Sequence, residues 1–330
     1  MMDADKWNHT VLSSRDGTLF ACHEYLDQMT SGWSGLVIGD YEMVLPLTDQ
    51  SKWGIKYLSA IPFVRQLGLI GDGPGPAAVC LKNQADSAAL YRDIFKAIHR
   101  FARYGDICFN HHNAVVFEGS GRDSRMRPSF SGTQLNQGMY GGEVSPVPNY
   151  EIHLQQGYER IFADFHRPVK KKLTRIKKEG ILKYSLMNAQ DVLADYRALL
   201  QEKSGLKLES AFQQLKRLLP TEFGRHHFTG YQIQDSSSQQ VLLTGIYGKD
   251  QWRIYKFMTA VTPAGRKQHA SVFALDHLLA TYAGEDLVFD FMGSRLPGVR
   301  TFIQSFGAVN HPCYLYHFNR LPWPLRLLKK

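Results

Sequence analysis

The sequence predicts an α/β protein built from two similar units. Short apolar runs bounded by turn residues alternate along the chain with stretches of helical periodicity. The order hairpin, strand, helix, short strand occurs twice. In both copies the helix ends in an acidic-glycine turn that feeds an apolar strand: Tyr104-Gly105-Asp106-Ile107-Cys108-Phe109 and Gly284-Glu285-Asp286-Leu287-Val288-Phe289. A length of 330 residues suits two domains. The expected boundaries are 1–118 for the first unit, 119–149 for a linker or crossing segment, and 150–330 for the second unit.

In the first unit, residues 11–80 read as strands and turns. Leu36 to Leu47 is an apolar run, a Gly39-Asp40 turn and a second run, which is the pattern of a hairpin. Ile55–Ile61 is the next strand, closed by Pro62. Gly71 to Pro76 alternates glycine and proline and must be a loop. Leu90, Ile94, Phe95, Ile98, Phe101 and Ala102 recur at helical spacing and predict a helix over 85–104. Ile107-Cys108-Phe109 then starts a strand. Residues 118–149 are rich in Gly, Ser, Pro and Asn, hence the linker.

In the second unit, Tyr158, Ile161, Phe162 and Phe165 form the apolar stripe of one helix. Pro168 suits the first turn of the next, over 168–179, which stops at Gly180. Helices follow at 189–203 and 208–219. Phe228–Gln234, Val241–Tyr247 and Trp252–Val261 read as three antiparallel strands joined by polar turns. A helix over 269–283 shows Val272, Leu275, Leu278 and Leu279 on one face. Leu287–Phe291 is a buried strand, 297–306 a shorter helix, and Cys313–Phe318 a last strand.

Composition excludes several classes. With 44% hydrophobic and 21% charged residues the chain is neither disordered nor of low complexity. No window approaches the roughly 20 apolar residues of a membrane span, and the N-terminus lacks the apolar region of a secretory signal, so a cytoplasmic location is expected. The 4 cysteines are scattered, without a CxxC pair or zinc spacing. There is no GxSxG elbow, no GK[ST] after the glycine-rich loop, no GxGxxG and no HExxH. Adjacent histidines, His111-His112 and His226-His227, point to opposite faces of a strand and do not chelate together. No metal is expected. The net charge of +9 points to an anionic partner.

Two segments concentrate candidate chemistry. Arg167, Lys170, Lys171, Lys172, Arg175, Lys177 and Lys178 fall within a dozen residues. On a helix Lys171, Arg175 and Lys178 share one face, while Val169, Leu173 and Ile176 share the opposite one. Like charges so close repel unless an anion neutralises them. The run is either a solvated basic face or a contact to phosphate or nucleic acid. The second segment runs Phe289-Asp290-Phe291-Met292-Gly293-Ser294. A buried strand ends there, and the carboxyl end of such a strand is where ligands sit in α/β sheets. Asp290, flanked by two phenylalanines, needs a partner. It is either a cap on the following loop or a contact to a substrate amine or hydroxyl.

Taken together, these segments resemble the FemAB-type, tandem GNAT-fold acyltransferases of the acyl-CoA N-acyltransferase superfamily. The likeness rests on the hairpin ending in Val44-Leu45-Pro46-Leu47, with Ile55 to Leu58 and Gln66-Leu67-Gly68; on the basic helix ending in Lys177-Lys178-Glu179-Gly180; on the strands of 228–261 with helix 269–283; and on the run FDFMGSRLPGVRTFIQSFGA, Phe289 to Ala308. The resemblance implies two GNAT-like units, the second holding a cleft where an activated donor meets an amine. The donor is acyl-CoA or aminoacyl-tRNA. The residues it marks are Asp290 and Gln304 for catalysis, and Lys171, Lys172, Arg175, Lys178, Tyr255 and Ser294 for substrate or phosphate. Gln304 stands where the family pattern has Lys, and no GNAT pyrophosphate loop is present in residues 262–271. A different class stays open: a non-catalytic protein that keeps the fold and binds anions or nucleic acid.

Overall fold

A computed structural model of the chain describes residues 2–71, 84–114, 141–201, 209–293 and 296–328. Ser294, Cys80 and most of the expected linker lie outside the described residues. Along the chain come helix α1 (Ala4–Ser13), α2 (His23–Met29), strands β1 (Ser34–Ile38), β2 (Met43–Leu47), β3 (Asp49–Lys52), β4 (Ile55–Leu58) and β5 (Ile70–Gly71). Then follow α3 (Gln84–Phe101), β6 (Tyr104–Phe109), β7 (Glu143–Val147), β8 (Tyr150–His153), α4 (Tyr158–Ala163), α5 (Arg167–Glu179) and β9 (Leu182–Met187). The rest is α6 (Ala189–Gln201), α7 (Glu209–Leu218), α8 (Glu222–His227), β10 (Phe228–Asp235), β11 (Val241–Lys249), β12 (Arg253–Val261), α9 (Pro263–Lys267) and α10 (Ala270–Tyr282). The chain closes with β13 (Val288–Asp290), α11 (Pro297–Gln304), β14 (Val309–Asn310), β15 (Cys313–Asn319) and α12 (Leu325–Leu328).

These elements form two units, Met1–Val147 with Pro312–Lys330, and Pro148–His311. The second unit therefore does not run to the chain end as its 150–330 boundary expects. The last strand, β15, returns to the first unit and pairs antiparallel with both β6 and β7. Burial explains this placement. Tyr314, Tyr316 and Phe318 alternate inward on β15, and Tyr316 packs against Phe95 of α3 at 4.7 Å between ring centroids. The segment expected as linker likewise ends in a strand, β7, on the edge of that sheet.

The first unit has a three-stranded sheet, β1-β2-β5, and a five-stranded sheet, β3-β4-β6-β15-β7. The second has one seven-stranded sheet, β14-β8-β13-β12-β11-β10-β9. Among the described residues, one parallel pair in each unit interrupts antiparallel neighbours. These pairs are β4 with β6 and β12 with β13, and each is joined by a crossover that contains a helix, α3 or α10. This is the duplicated α/β arrangement that the two acidic-glycine turns predict. In the first unit the close approach needs Gly105, because a Cβ there would sit 2.6 Å from the Leu58 carbonyl oxygen.

Two helices depart from the strand-and-turn reading of residues 11–80: the end of α1 and all of α2 (His23–Met29). Residues 4–13 form α1, whose N-cap Asp3 accepts hydrogen bonds from the N–H groups of Asp5 and Lys6 at 3.1 Å. Trp7 and Val11 share its buried face, and the Trp7 indole donates to the Ala21 carbonyl at 2.8 Å. Strand β9 and helix α8 are further elements the sequence reading left unassigned. Among the described residues no helix is long and apolar enough to cross a membrane.

Candidate functional site

The parallel pair of the second unit opens into a cleft. β13 pairs with β12 over Arg253↔Val288, Ile254↔Phe289 and Tyr255↔Asp290, and then stops. β12 continues to Val261 without it. On its other edge β12 pairs with β11, and the register shifts between Ile246↔Met258 and Gly248↔Tyr255. Lys256 and Phe257 together therefore face the single residue Tyr247, which makes a β-bulge where the two parallel strands part. Bulges re-aim side chains and release backbone groups from the ladder, and they recur beside functional sites.

The released space is a cleft of about 300 Å³. Its lining is mostly apolar, with Leu243, Ala274, Leu275 and Leu278 below and Val299 and Phe302 of α11 alongside. Its polar members are Tyr231, Lys256, Thr259, Arg266 and Ser271. Tyr231 lies across the sheet because Gly245 has no side chain; a Cβ there would meet the Tyr231 ring at 2.4 Å. The Tyr231 hydroxyl and Thr259 Oγ1 are 3.2 Å apart. Arg266 donates to the Val261 carbonyl at 3.1 Å.

Lys256 is the residue that sequence reasoning missed. Burial pushes its ammonium down to about 8. Among the described residues no carboxylate pairs with it and no hydrogen bond holds it. A lysine whose charge is so weakly supported, facing a cleft, is a functional candidate on physical grounds. A signal was present in the sequence. Lys256 is a lone cation in the apolar run Ile254-Tyr255-Lys256-Phe257-Met258, but a strict period of two groups it with Ile254 and Met258, whereas the bulge puts it on the cleft with Thr259 and Val261.

A buried polar network surrounds the end of β13. Arg253 Nη1 lies 2.9 Å from Glu151 Oε1 and 3.9 Å from Asp290 Oδ2, and both carboxylates are only 1% exposed. Asn149 donates to Glu151 at 3.2 Å. Asp290 Oδ1 accepts the Met292 N–H at 2.6 Å, so Asp290 does cap the following loop. Burial, and then the neighbouring Glu151, push the Asp290 carboxyl up to about 7. Tyr255 is fully buried beside this network. Its hydroxyl donates to Asp250 Oδ2 at 2.7 Å, while Asp250 Oδ1 accepts the N–H groups of Trp252 and Arg253 at 2.8 Å each. Neither Asp290 nor Tyr255 is among the residues lining the cleft.

The basic run divides between structure and surface. Val169, Leu173 and Ile176 are buried, as their spacing predicts. Lys177 pairs with the nearly buried Asp276 of α10 at 2.8 Å and also donates to Tyr158 at 3.1 Å, tying three helices together. Lys170 donates to the Ala163 carbonyl at 2.7 Å. Lys171, Lys172, Arg175 and Lys178 remain exposed, Arg175 with a loose contact to Glu179 at 3.5 Å. Lys172 and Arg175 stand near His269, the residue before α10. Burial lowers the His269 pKa and the charges of Lys172 and Arg175 lower it further. His269 adopts a left-handed conformation, φ 58°, and no side chain caps the first turn of α10. Two expected site residues thus gather at the start of the helix that floors the cleft. Gln304 is on the exposed side of α11, whereas Val299 and Phe302 of the same helix line the cleft. Among the described residues no group of three or more His, Cys, Asp or Glu is placed to hold a metal ion.

No family model matches the chain, and no curated protein matches its sequence. Solved structures do. FemX matches over 100% of this chain and 98% of its own, with a TM-score of 0.62 at 12% identity. A conserved protein from Bacteroides thetaiotaomicron VPI-5482 matches over 96% and 97%, with a TM-score of 0.54 at 10% identity. L-PGS from Bacillus licheniformis matches over 99% and 95%, with a TM-score of 0.52 at 9% identity. At these identities the likeness shows the fold. The chain is an α/β protein that shares the fold of FemX and L-PGS.

Proposed function

We propose that this protein is an N-acyltransferase that moves an acyl or aminoacyl group from an activated, anionic donor to an amine, with the cleft beside β12 as the reaction site. The observation that carries the reading is Lys256, a cation without a partner in an apolar cleft at the bulge where β12 and β13 part. The fold shared with FemX and L-PGS supports it. In the reaction the neutral amine nitrogen attacks the acyl carbon and a C–N bond forms. The bond to the donor's sulfur or ribose oxygen breaks, and the proton lost by nitrogen ends on that leaving atom. Charge collects on the acyl oxygen meanwhile. Protonated Lys256 is the donor proposed to stabilise it, and in a cleft poor in water such a donor acts strongly. The anionic part of the donor, coenzyme A phosphates or tRNA, lies along the basic face of Lys171, Lys172, Arg175 and Lys178 near the start of α10. Orientation of the two substrates supplies much of the remaining acceleration.

The test is a screen of the purified protein with acyl-CoA and aminoacyl-tRNA donors against amine acceptors, run on the parent, on Lys256→Met and on the triple variant Lys171→Gln/Arg175→Gln/Lys178→Gln. Lys256→Met is expected to lower kcat about a hundredfold or more, the effect of deleting an oxyanion donor. The triple variant is expected to raise KM for the donor more than about tenfold with kcat nearly kept, because it removes uniform binding of the anion. If no donor is turned over while tRNA binds with a steep salt dependence, the fold serves nucleic-acid binding instead.

A further inference from the structure

The first unit holds a second concentration of positive charge, independent of the cleft in the other unit. Helix α3 presents Arg92, Lys96 and His99 at i, i+4 and i+7, on one face. Asn319 ends β15, Arg320 follows it, and Arg326 sits on α12. All six line one open concavity of about 560 Å³. That size falls within the range of small-molecule sites. Among the described residues no carboxylate lines it, and none lies within ion-pair range of Arg92, Arg320 or Arg326. Lys96 alone has an acidic partner, Asp93 at 2.9 Å, and both groups are exposed. At the base His99 is nearly buried and shares a 2.8 Å hydrogen bond with the Tyr316 hydroxyl. Burial lowers its pKa, and the charge of Arg320 lowers it further. The site therefore disfavours a charge on its histidine, while three guanidinium groups and an ammonium surround it.

Four like charges around one concavity repel, and an anion with several oxygens removes that repulsion. Guanidinium groups match phosphate oxygens two at a time, so a site built on three arginines favours phosphate over a lone carboxylate. We infer that this concavity of the first unit binds a phosphate-bearing ligand through a pyrophosphate or phosphodiester group. The source is either a soluble phosphate compound or the headgroup of an anionic lipid. Trp323, 79% exposed, lies midway in sequence between Arg320 and Arg326.

The experiment has two arms on the full chain. Calorimetric titration with inorganic pyrophosphate reads the soluble source. Co-sedimentation with phosphatidylglycerol vesicles, against phosphatidylcholine vesicles, reads the lipid source. Saturable binding in either arm, weakened more than about tenfold in Arg92→Gln/Arg320→Gln, is the expected result. The arm that responds identifies the source. Circular dichroism checks that the double variant is folded; if it is not, Arg326→Gln, at an exposed position, repeats the test. Absence of binding in both arms overturns the inference. So does binding that survives these substitutions or that is lost instead in Lys171→Gln/Arg175→Gln/Lys178→Gln, since it then belongs to the basic helix of the other unit. None of these readouts depends on acyl transfer.

Discussion

Two positions three residues apart on β12 handle charge withdrawn from water in opposite ways. At Arg253 the cation is closed off with Glu151 and Asp290, its carboxylate neighbours take further hydrogen bonds from Asn149 and the Met292 N–H, and almost nothing reaches water. Three residues later Lys256 has no such company and faces a cleft instead. Buried charge with partners builds a rigid strand end. A half-buried charge without partners costs stability, and such groups cluster at functional sites. The comparison separates the residues that fix the strand end from the one that faces the cleft.

The strongest way to break this comparison is to remove the closed cation. Arg253→Met leaves Glu151 and Asp290 buried without a counter-charge and is expected to destabilise the protein by about 3–5 kcal/mol in urea denaturation. Loss of less than about 1 kcal/mol would mean that the network is solvated and not structural.

The matching substitution at Lys256 is expected to act with the opposite sign. The folded-state pKa near 8 lies below the ordinary lysine value of 10.5. The native state therefore releases this proton before the unfolded state does, and stability rises with pH between those two values. Lys256→Met removes the penalty, so it should unfold at the same or higher urea concentration than the parent near neutral pH. The difference between the two proteins should shrink as pH rises from 8 toward 10. A destabilised variant with no such pH dependence would show that the Lys256 stem is only a packing element.

Asp290 gives a smaller and sharper test. Its folded-state pKa, near 7, lies above the unfolded value of 3.8, so the folded protein binds the extra proton and stability falls as pH rises from about 4 to 7. Asp290→Asn copies the protonated form. It should fold with stability within about 1 kcal/mol of the parent at neutral pH and flatten that slope. A slope unchanged by the substitution would assign the proton elsewhere in the network. The smallest expected effect is at Gln304. Exposed on α11 and away from the cleft lining, Gln304→Ala should leave both stability and acyl transfer within about twofold of the parent.

Much of this was written in the sequence, because it depends on local rules. The period of the apolar residues marked α3, α5 and α10, the tight polar turns marked the hairpins, and Gly180 marked the end of the basic helix in its left-handed conformation, φ 63°. The division of the basic helix into a buried stripe and an exposed cationic face also followed from its spacing. What the tertiary structure decided depends on partners far apart in sequence. Pairing with β6 and β7 drew the last strand into the first unit, and Asp276 took Lys177 out of the apparently continuous basic surface. A register shift against β11 made Lys256 part of a cleft. Asp290 and Arg253, 37 positions apart, meet because β12 and β13 lie side by side. Propensity and periodicity act over a few residues. Whether a charge finds a partner is settled only by strand pairing across the whole unit, and at β12 that pairing separates an arginine closed in by carboxylates from a lysine that faces a cleft.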